Sequence, residues 1–242
     1  RHPDIDPSWQ GLTVRELLTH RGGMPQEYCR VDSQGQPDCG RMLAEPRELW
    51  RCETDDDGHP CCPRWYANGH YHLLRVMIGD LIGDASNDAI AEYARLDWME
   101  DIGVEGASCS PAENDAYYRF VGPTYDDYLE RRPVNQAGCG QSGWHLSARD
   151  LARIARAIRY NWLFTPETHA ELLSCGSHGW LGWDDGWSVS QARGKSGWLS
   201  NEEYASQAVL ARLPTDLDII VLTNSVDEFS LKPLVQAAYW AH

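Results

Sequence analysis

Leu73, Leu74, Met77, Ile78, Leu81 and Ile82 recur at spacings of one, three and four, which predicts a helix from Tyr71 to Ile82 with that stripe turned towards a core. Ahead of it, Thr13 followed by Glu16 reads as a capping box, and Val14, Leu17 and Leu18 give a short helix its buried side. His20-Arg21-Gly22-Gly23-Met24-Pro25 ends that helix, because two glycines and a proline cannot continue it. Ala89, Ile90, Tyr93 and Ala94 mark a further helix that ends near Trp98. Ser147 with Asp150 opens another capped helix, with Leu151, Ile154, Ala155 and Ile158 inward. Residues 100 to 137, punctuated by Pro111, Gly122, Pro123 and Pro133, read as irregular.

After about residue 178 the period changes from helical to alternating. Trp180 to Trp183 and Trp187 to Ala192 flank Asp184-Asp185-Gly186, a hairpin signal, and Ala205 to Leu213 with Leu217 to Asn224 flank Pro214-Thr215-Asp216 as a second. Leu231 to Trp240 then forms a helix long enough to cover one face of the resulting antiparallel sheet. The fold class expected is α+β, with a mainly helical lobe over 1–177 and a sheet with its terminal helix over 178–242. Within the first lobe, residues 26–63 turn to Gly, Pro, Asp and Cys apart from a helical stretch around Pro46 to Trp50. They read as a disulfide-pinned surface insertion, since a long irregular loop in a compact domain needs a staple or a function.

Composition narrows the function. With 36 acidic against 21 basic residues the 242-residue chain carries a formal net charge of −15, which repels nucleic acid and anionic membrane surfaces. No run of about 20 apolar residues offers a membrane span. Eight cysteines, Cys29, Cys39, Cys52, Cys61, Cys62, Cys109, Cys139 and Cys175, favour an oxidising compartment, so the protein is expected to be secreted or periplasmic with all eight as disulfide candidates. Cys52, His59, Cys61 and Cys62 crowd together, but no paired Cys-x-x-Cys spacing supports zinc, and neither metal nor cofactor is expected. The opening Arg1-His2-Pro3-Asp4 has neither a methionine nor a hydrophobic leader, which points to processing or truncation.

Candidate chemistry gathers at three places. Tyr66-Ala67-Asn68 lies at the mouth of the Tyr71–Ile82 helix, where Tyr66 and Asn68 serve either a site or merely the capping and packing of the helix start. Ala137-Gly138-Cys139-Gly140-Gln141-Ser142-Gly143 lacks the lysine and spacing of a phosphate loop and reads as close backbone packing. Gly194-Lys195-Ser196-Gly197-Trp198 stands between the two hairpins, and Lys195 is one of only two lysines, with Lys232. Lys195 as a solvated strand-end charge and Trp198 as an ordinary sheet aromatic are the competing structural readings.

In this order the stretches resemble the serine β-lactamase and penicillin-binding-protein superfamily, most closely its class C β-lactamase and esterase branch. Leu12 to Pro25 is similar to the branch's "LTHxSGLP" segment, and Tyr66-Ala67-Asn68 to its Tyr-Ser/Ala-Asn motif. Ala137 to Leu151 resembles its glycine-rich turn and "STARDL", and Lys195-Ser196-Gly197, followed by strands ending Val221 to Asn224, its Lys/His-Thr/Ser-Gly strand. The resemblance implies a β-lactamase/transpeptidase-like fold, a helical lobe plus an antiparallel sheet flanked by helices. It also implies acyl-enzyme hydrolysis of an ester or amide, whether lactam, ester or D-amino-acid peptide. Tyr66 would be general base and then acid; since a phenol titrates near pKa ~10, it needs an adjacent cation, for which Lys195 is the candidate. Asn68 would bind a substrate amide, Ser196 a carboxylate or carbonyl, Gly197 would leave room along the strand edge, and the N–H of Trp198 would be an oxyanion donor.

One departure bears on this. The family's Ser-x-x-Lys nucleophile motif is absent, since Ala192 and Phe229 stand three residues before the two lysines. The nucleophile is therefore expected upstream of residue 1, in an N-terminal part of the same domain. Ser142 fails the G-x-S-x-G elbow because Trp144 takes the place of its last glycine, and Cys139 with His145, an alternative thiol pair, reads better as a half-cystine. The competing function is a non-catalytic member that binds peptide or cell-wall ligands, and the third possibility is a disulfide-rich structural protein.

Overall fold

The computed structural model describes residues 6–20, 22–23, 30–31, 37–38, 53–54, 60–61, 67–110, 116–120, 129–133, 139–140, 143–174, 193–200, 205–214, 216–223 and 231–241. The chain forms two units, Arg1–Ala94 with Gln136–Trp144, and Arg95–Asn135 with His145–His242.

In the first unit, α1 (Val14–Leu18) begins at the expected capping box. Thr13 Oγ1 accepts from the N–H of Glu16 at 3.2 Å, and Glu16 Oε2 accepts from the N–H of Thr13 at 2.8 Å. Two short antiparallel pairs, β1 (Arg30–Val31) with β2 (Pro37–Asp38) and β3 (Glu53–Thr54) with β4 (Pro60–Cys61), fall in the Cys-rich insertion. The helical stretch expected around Pro46 lies outside the described residues. Helix α2 (Gly69–Ile82) starts two residues before the predicted Tyr71 and stops at Gly83, whose φ of 77° is the left-handed end that favours glycine. After a turn in which Ser86 caps the next element through the N–H of Ala89, α3 (Asn87–Ala94) follows. Trp9, Leu17, Ala67 and Leu73 form the core, flanked by Leu12, Leu74 and Val76.

The predicted stripe on α2 is only partly its buried face: Leu73 and Leu74 pack in the core, but the stripe's far end does not. Leu81 is 85 % exposed and Met77 38 %, whereas Gly69, His70, His72, Leu73, Arg75 and Gly79 are buried. Polar pairing and close approach turn the buried face away from Met77 and Leu81. The guanidinium of Arg75 donates to the Ala85 carbonyl at 3.0 Å and to Asn87 Oδ1 at 2.6 Å, and burial pushes its pKa down without discharging it. At Gly79 an added Cβ would stand 2.8 Å from the Cβ of Ala85 and 2.9 Å from its Cα.

The second unit continues from α3 as a π turn (Arg95–Met99) and a 3-10 turn (Glu100–Ile102). Part of the region expected to be irregular is a hairpin, β5 (Ala116–Phe120) antiparallel to β6 (Leu129–Pro133), with Tyr118 opposite Arg131. Its aromatic strand fits a pleated surface, but residues 121–128 separate the strands and no two-residue turn signal marks the pair. Helix α4 (Ala148–Arg159) has the predicted capping box, in which Ser147 Oγ accepts from the N–H of Asp150 at 3.1 Å. It precedes α5 (Pro166–Ser174). The sheet runs β7 (Arg193–Ser200), β8 (Ala205–Arg212), β9 (Asp218–Thr223), all antiparallel, as the second hairpin signal predicted, and α6 (Leu231–Trp240) packs Val235 on Val209 and Ala211. The hairpin expected over 180–192 lies outside the described residues. No described helix is long and apolar enough to cross a membrane.

Arg159, at the end of α4, ties the helix to this sheet. Its Nε and Nη2 donate to the two carboxylate oxygens of Asp218 at 3.0 and 2.6 Å, and Nη1 reaches Asp216 at 2.7 Å. The hydrogen bonds to Asp218 above all, then the charges of Asp218 and Asp216, hold the guanidinium above its ordinary range against the opposing effect of burial. Asp216 sits in the β8–β9 turn with φ 58°, so the fork also fixes a left-handed turn residue.

Two outcomes are expected in urea unfolding. Arg159→Met lowers stability by about 2 kcal/mol, because it leaves a largely buried Asp218 carboxylate with only the longer contact to Arg212 at 3.6 Å among the described ion pairs; an unchanged midpoint would show that the fork contributes nothing. Gly79→Ala gains about 1 kcal/mol of helix propensity but forces a methyl group into Ala85, whose backbone cannot step aside cheaply. Net destabilisation is expected, and a stabilised variant would mean that the α2–α3 approach is loose.

Candidate active site

The described candidate residues begin with Ala67 and Asn68 at the entrance to α2. Thr19 closes α1 by donating from its hydroxyl to the Arg15 carbonyl at 2.8 Å, and His20 then takes a left-handed backbone, φ 57°. For an L-residue that conformation costs on the order of 1–2 kcal/mol. It returns the His20 ring to the α2 entrance, where His20 is 1 % exposed and its Nδ1 lies 3.2 Å from the carbonyl oxygen of Ala67 and 3.4 Å from its nitrogen.

His70 completes the arrangement from the first turn of α2. Its Nδ1 is 2.9 Å from the Ala67 carbonyl oxygen and its Nε2 accepts from the N–H of Gly22 at 3.1 Å. A nitrogen that accepts holds no proton, so the network assigns His70 as the neutral Nδ1–H tautomer, donating to Ala67. The two rings meet edge to face with centroids 5.3 Å apart, and the ring of Tyr71 lies 5.2 Å from that of His20 while its hydroxyl donates to the Leu18 carbonyl at 3.2 Å. Gly22 is glycine for reasons of space, because an added Cβ would stand 2.7 Å from Cδ2 of His70. Gly140 is alike: its Cβ would stand 2.8 Å from Nδ1 of His72, the close backbone packing expected of the glycine-rich turn.

Asn68 occupies the N-cap of α2 with φ −61° and ψ −29°, and its side chain makes no capping hydrogen bond; its carbonyl accepts from the N–H groups of Tyr71 and His72 at 3.1 and 3.3 Å. Tyr66 lies outside the described residues. In the second unit, strand β7 carries Lys195, Ser196, Gly197 and Trp198 opposite Leu210, Val209, Ala208 and Gln207, so these four candidates share one strand. Within the described sheet β7 is an edge, and a Cβ built on Gly197 meets no described heavy atom within 4 Å.

Cys109 and Cys139 are both disulfide-bonded and buried, which removes Cys139 as a nucleophile. Cys61 lies on β4, and Cys29, Cys39, Cys52, Cys62 and Cys175 lie outside the described residues, as do His59 and Ser142. Among the described residues no three His, Cys, Asp or Glu side chains are grouped to hold a metal. A groove of about 330 Å³ in the second unit, lined by Asp97, Trp98, Ile154, Ile158, Leu163 and Phe164, contains none of the candidate residues. The histidine pair around Ala67 went unmarked in the sequence because its members stand 50 positions apart.

The family model described as Beta-lactamase matches residues 3–238. No curated protein matches the sequence. Among solved structures, the penicillin binding protein from Bacillus halodurans is 18 % identical with a TM-score of 0.64, over 96 % of this chain and 74 % of that one. The octameric penicillin-binding protein homologue from Pyrococcus abyssi is 18 % identical with a TM-score of 0.65, over 98 % of this chain and 57 % of that one. The D-amino acid amidase from Ochrobactrum anthropi SV3 is 14 % identical with a TM-score of 0.58, over 98 % of this chain and 75 % of that one. At such identities the likeness is one of fold, the β-lactamase/transpeptidase-like α+β fold that the sequence motifs imply. By a family match that runs over nearly its whole length, this chain belongs to the Beta-lactamase family.

Proposed function

We propose that the chain is the larger part of a serine hydrolase that cleaves an ester or amide through an acyl-enzyme, with the nucleophilic serine and its lysine carried by sequence outside residues 1–242. The observation that carries this reading is the fixed α2 entrance. Between the two motif residues Tyr66 and Asn68, Ala67 is fully buried and held by two imidazoles, which is far more pinning than a helix start requires. Tyr66 takes the serine proton as Oγ attacks the carbonyl and returns it to the leaving group; a water then repeats the sequence in reverse to release the acid and free the serine. Lys195 is the cation that favours the phenolate. Asn68 binds the substrate amide, and the β7 edge at Ser196, Gly197 and Trp198 receives the substrate, with the Trp198 N–H as an oxyanion donor.

The substrate is a small molecule or peptide: a lactam, an ester or a D-amino-acid amide, the last a probe suggested by the name of the Ochrobactrum amidase. The disulfides of Cys109 and Cys139 support a secreted or periplasmic site of action. One observation favours a second reading, a ligand-binding member without turnover: no Ser-x-x-Lys occurs in the 242 residues.

Two variants of the complete protein test the chemistry. Tyr66→Phe is expected to lower kcat on an activated aryl ester by about a hundredfold or more, the usual worth of a general base. Unchanged turnover removes the tyrosine, and binding of a D-amino-acid peptide with neither turnover nor a covalent mass increase establishes the binding module instead. Lys195→Met removes a cation that favours phenolate, so the phenol pKa rises and the ascending limb of kcat/KM moves to higher pH by about one unit or more. A limb that stays in place assigns the activation of Tyr66 to another group.

A further inference from the structure

We propose that His20 is a positioning residue for this reaction, setting the backbone of Ala67, between Tyr66 and Asn68, from outside the substrate site. The inference rests on the assignment of those two residues to the reaction. Three observations carry it. His20 spends backbone energy to be where it is, as a non-glycine residue with φ 57° at a turn next to two glycines. Strain of that kind persists only where the surroundings enforce it, and it concentrates at functional positions. Its ring is buried at 1 % exposure and is directed at a single residue, with Nδ1 within 3.4 Å of both backbone polar atoms of Ala67, one from each of the peptides that flank it. The carbonyl of Ala67 has its donors in the backbone N–H of His70 at 3.3 Å and His70 Nδ1 at 2.9 Å, so the role left to His20 Nδ1 is to accept from the Ala67 N–H at 3.4 Å.

The division of labour follows from these contacts. His70 is built into α2 and fixes where the helix begins. His20 comes from the α1 end and fixes the direction of the Ala67 N–H, and with it the peptide plane that joins Ala67 to the residue before it. A displacement of about 1 Å at a reacting group can cost about a hundredfold in rate. Loss of the ring therefore lowers the rate while leaving the rest of the binding surface in place.

The test uses the complete protein with His20→Ala and His20→Asn, the second chosen because the Asn amide brings a hydrogen-bonding atom close to the position of Nδ1. Amide exchange at Ala67 is expected to speed up about tenfold or more in His20→Ala and to stay near the parent rate in His20→Asn, with exchange in the middle of α2 unchanged in both. On an activated aryl ester, His20→Ala is expected to lose between ten- and a hundredfold in kcat with KM within about twofold, and His20→Asn to recover most of it. Unchanged exchange at Ala67, unchanged kcat in His20→Ala, or no recovery in a folded His20→Asn each overturns the inference. A parent protein that is inactive, or a fully active Tyr66→Phe, overturns the underlying reading and the inference with it. A silent His20→Ala beside a crippled Tyr66→Phe overturns the inference alone.

Discussion

The backbone of a single residue at the mouth of α2, Ala67, is gripped by two buried imidazoles, and the first unit is arranged to make that possible. Burying a peptide without partners costs on the order of 1–3 kcal/mol for each polar group left unpaired. Here the helix backbone supplies one such partner, the N–H of His70 at 3.3 Å from the Ala67 carbonyl, and leaves the rest to other groups. The chain supplies those from side chains, and each one carries a requirement of its own. The His20 ring needs the left-handed turn that follows α1, and α1 needs its capping box to end where it does. The His70 ring needs a backbone donor at Gly22 and the absence of any side chain there.

The second unit meets a comparable demand with charge instead of neutral rings. Arg159 and Asp218 form a two-pronged contact between the end of α4 and the start of β9, with Asp216 adding a third anchor in the turn. Such a fork resists rotation as well as separation. It holds the β8–β9 hairpin against the helix, while Gln207 on β8 accepts from the N–H of Leu231 and seats the start of α6. Strand β7, which carries the Lys-Ser-Gly-Trp stretch, is in register with β8 along its whole length and is stiffened through it.

Signals confined to a few neighbouring residues were legible in the sequence. Both capping boxes, the β8–β9 hairpin, the terminal helix and the close packing at Gly140 depend on three or four adjacent positions, and each stands where expected. The polar part of the buried face of α2 was not legible, because histidine and arginine are read as polar until their partners at Ala67, Gly22, Ala85 and Asn87 are known, and those lie elsewhere in the chain. The β5–β6 hairpin escaped for a similar reason: its connection is too long for turn chemistry to announce it. Of the candidate site, the strand bearing Lys195 was legible as a local motif, whereas the function of His20 exists only in three dimensions.

The contact between Gly22 and His70 also limits how the sequence can drift. The space that a side chain at position 22 would need is filled by the ring at position 70, and the N–H at position 22 depends on the lone pair of that same ring. A larger residue at 22 becomes tolerable only once the ring at 70 is gone, and a ring lost from 70 leaves a buried donor at 22 without its acceptor. Neither order of change passes through a sound intermediate, so the effects of the two substitutions do not add. The two positions, 48 residues apart, are inherited as one.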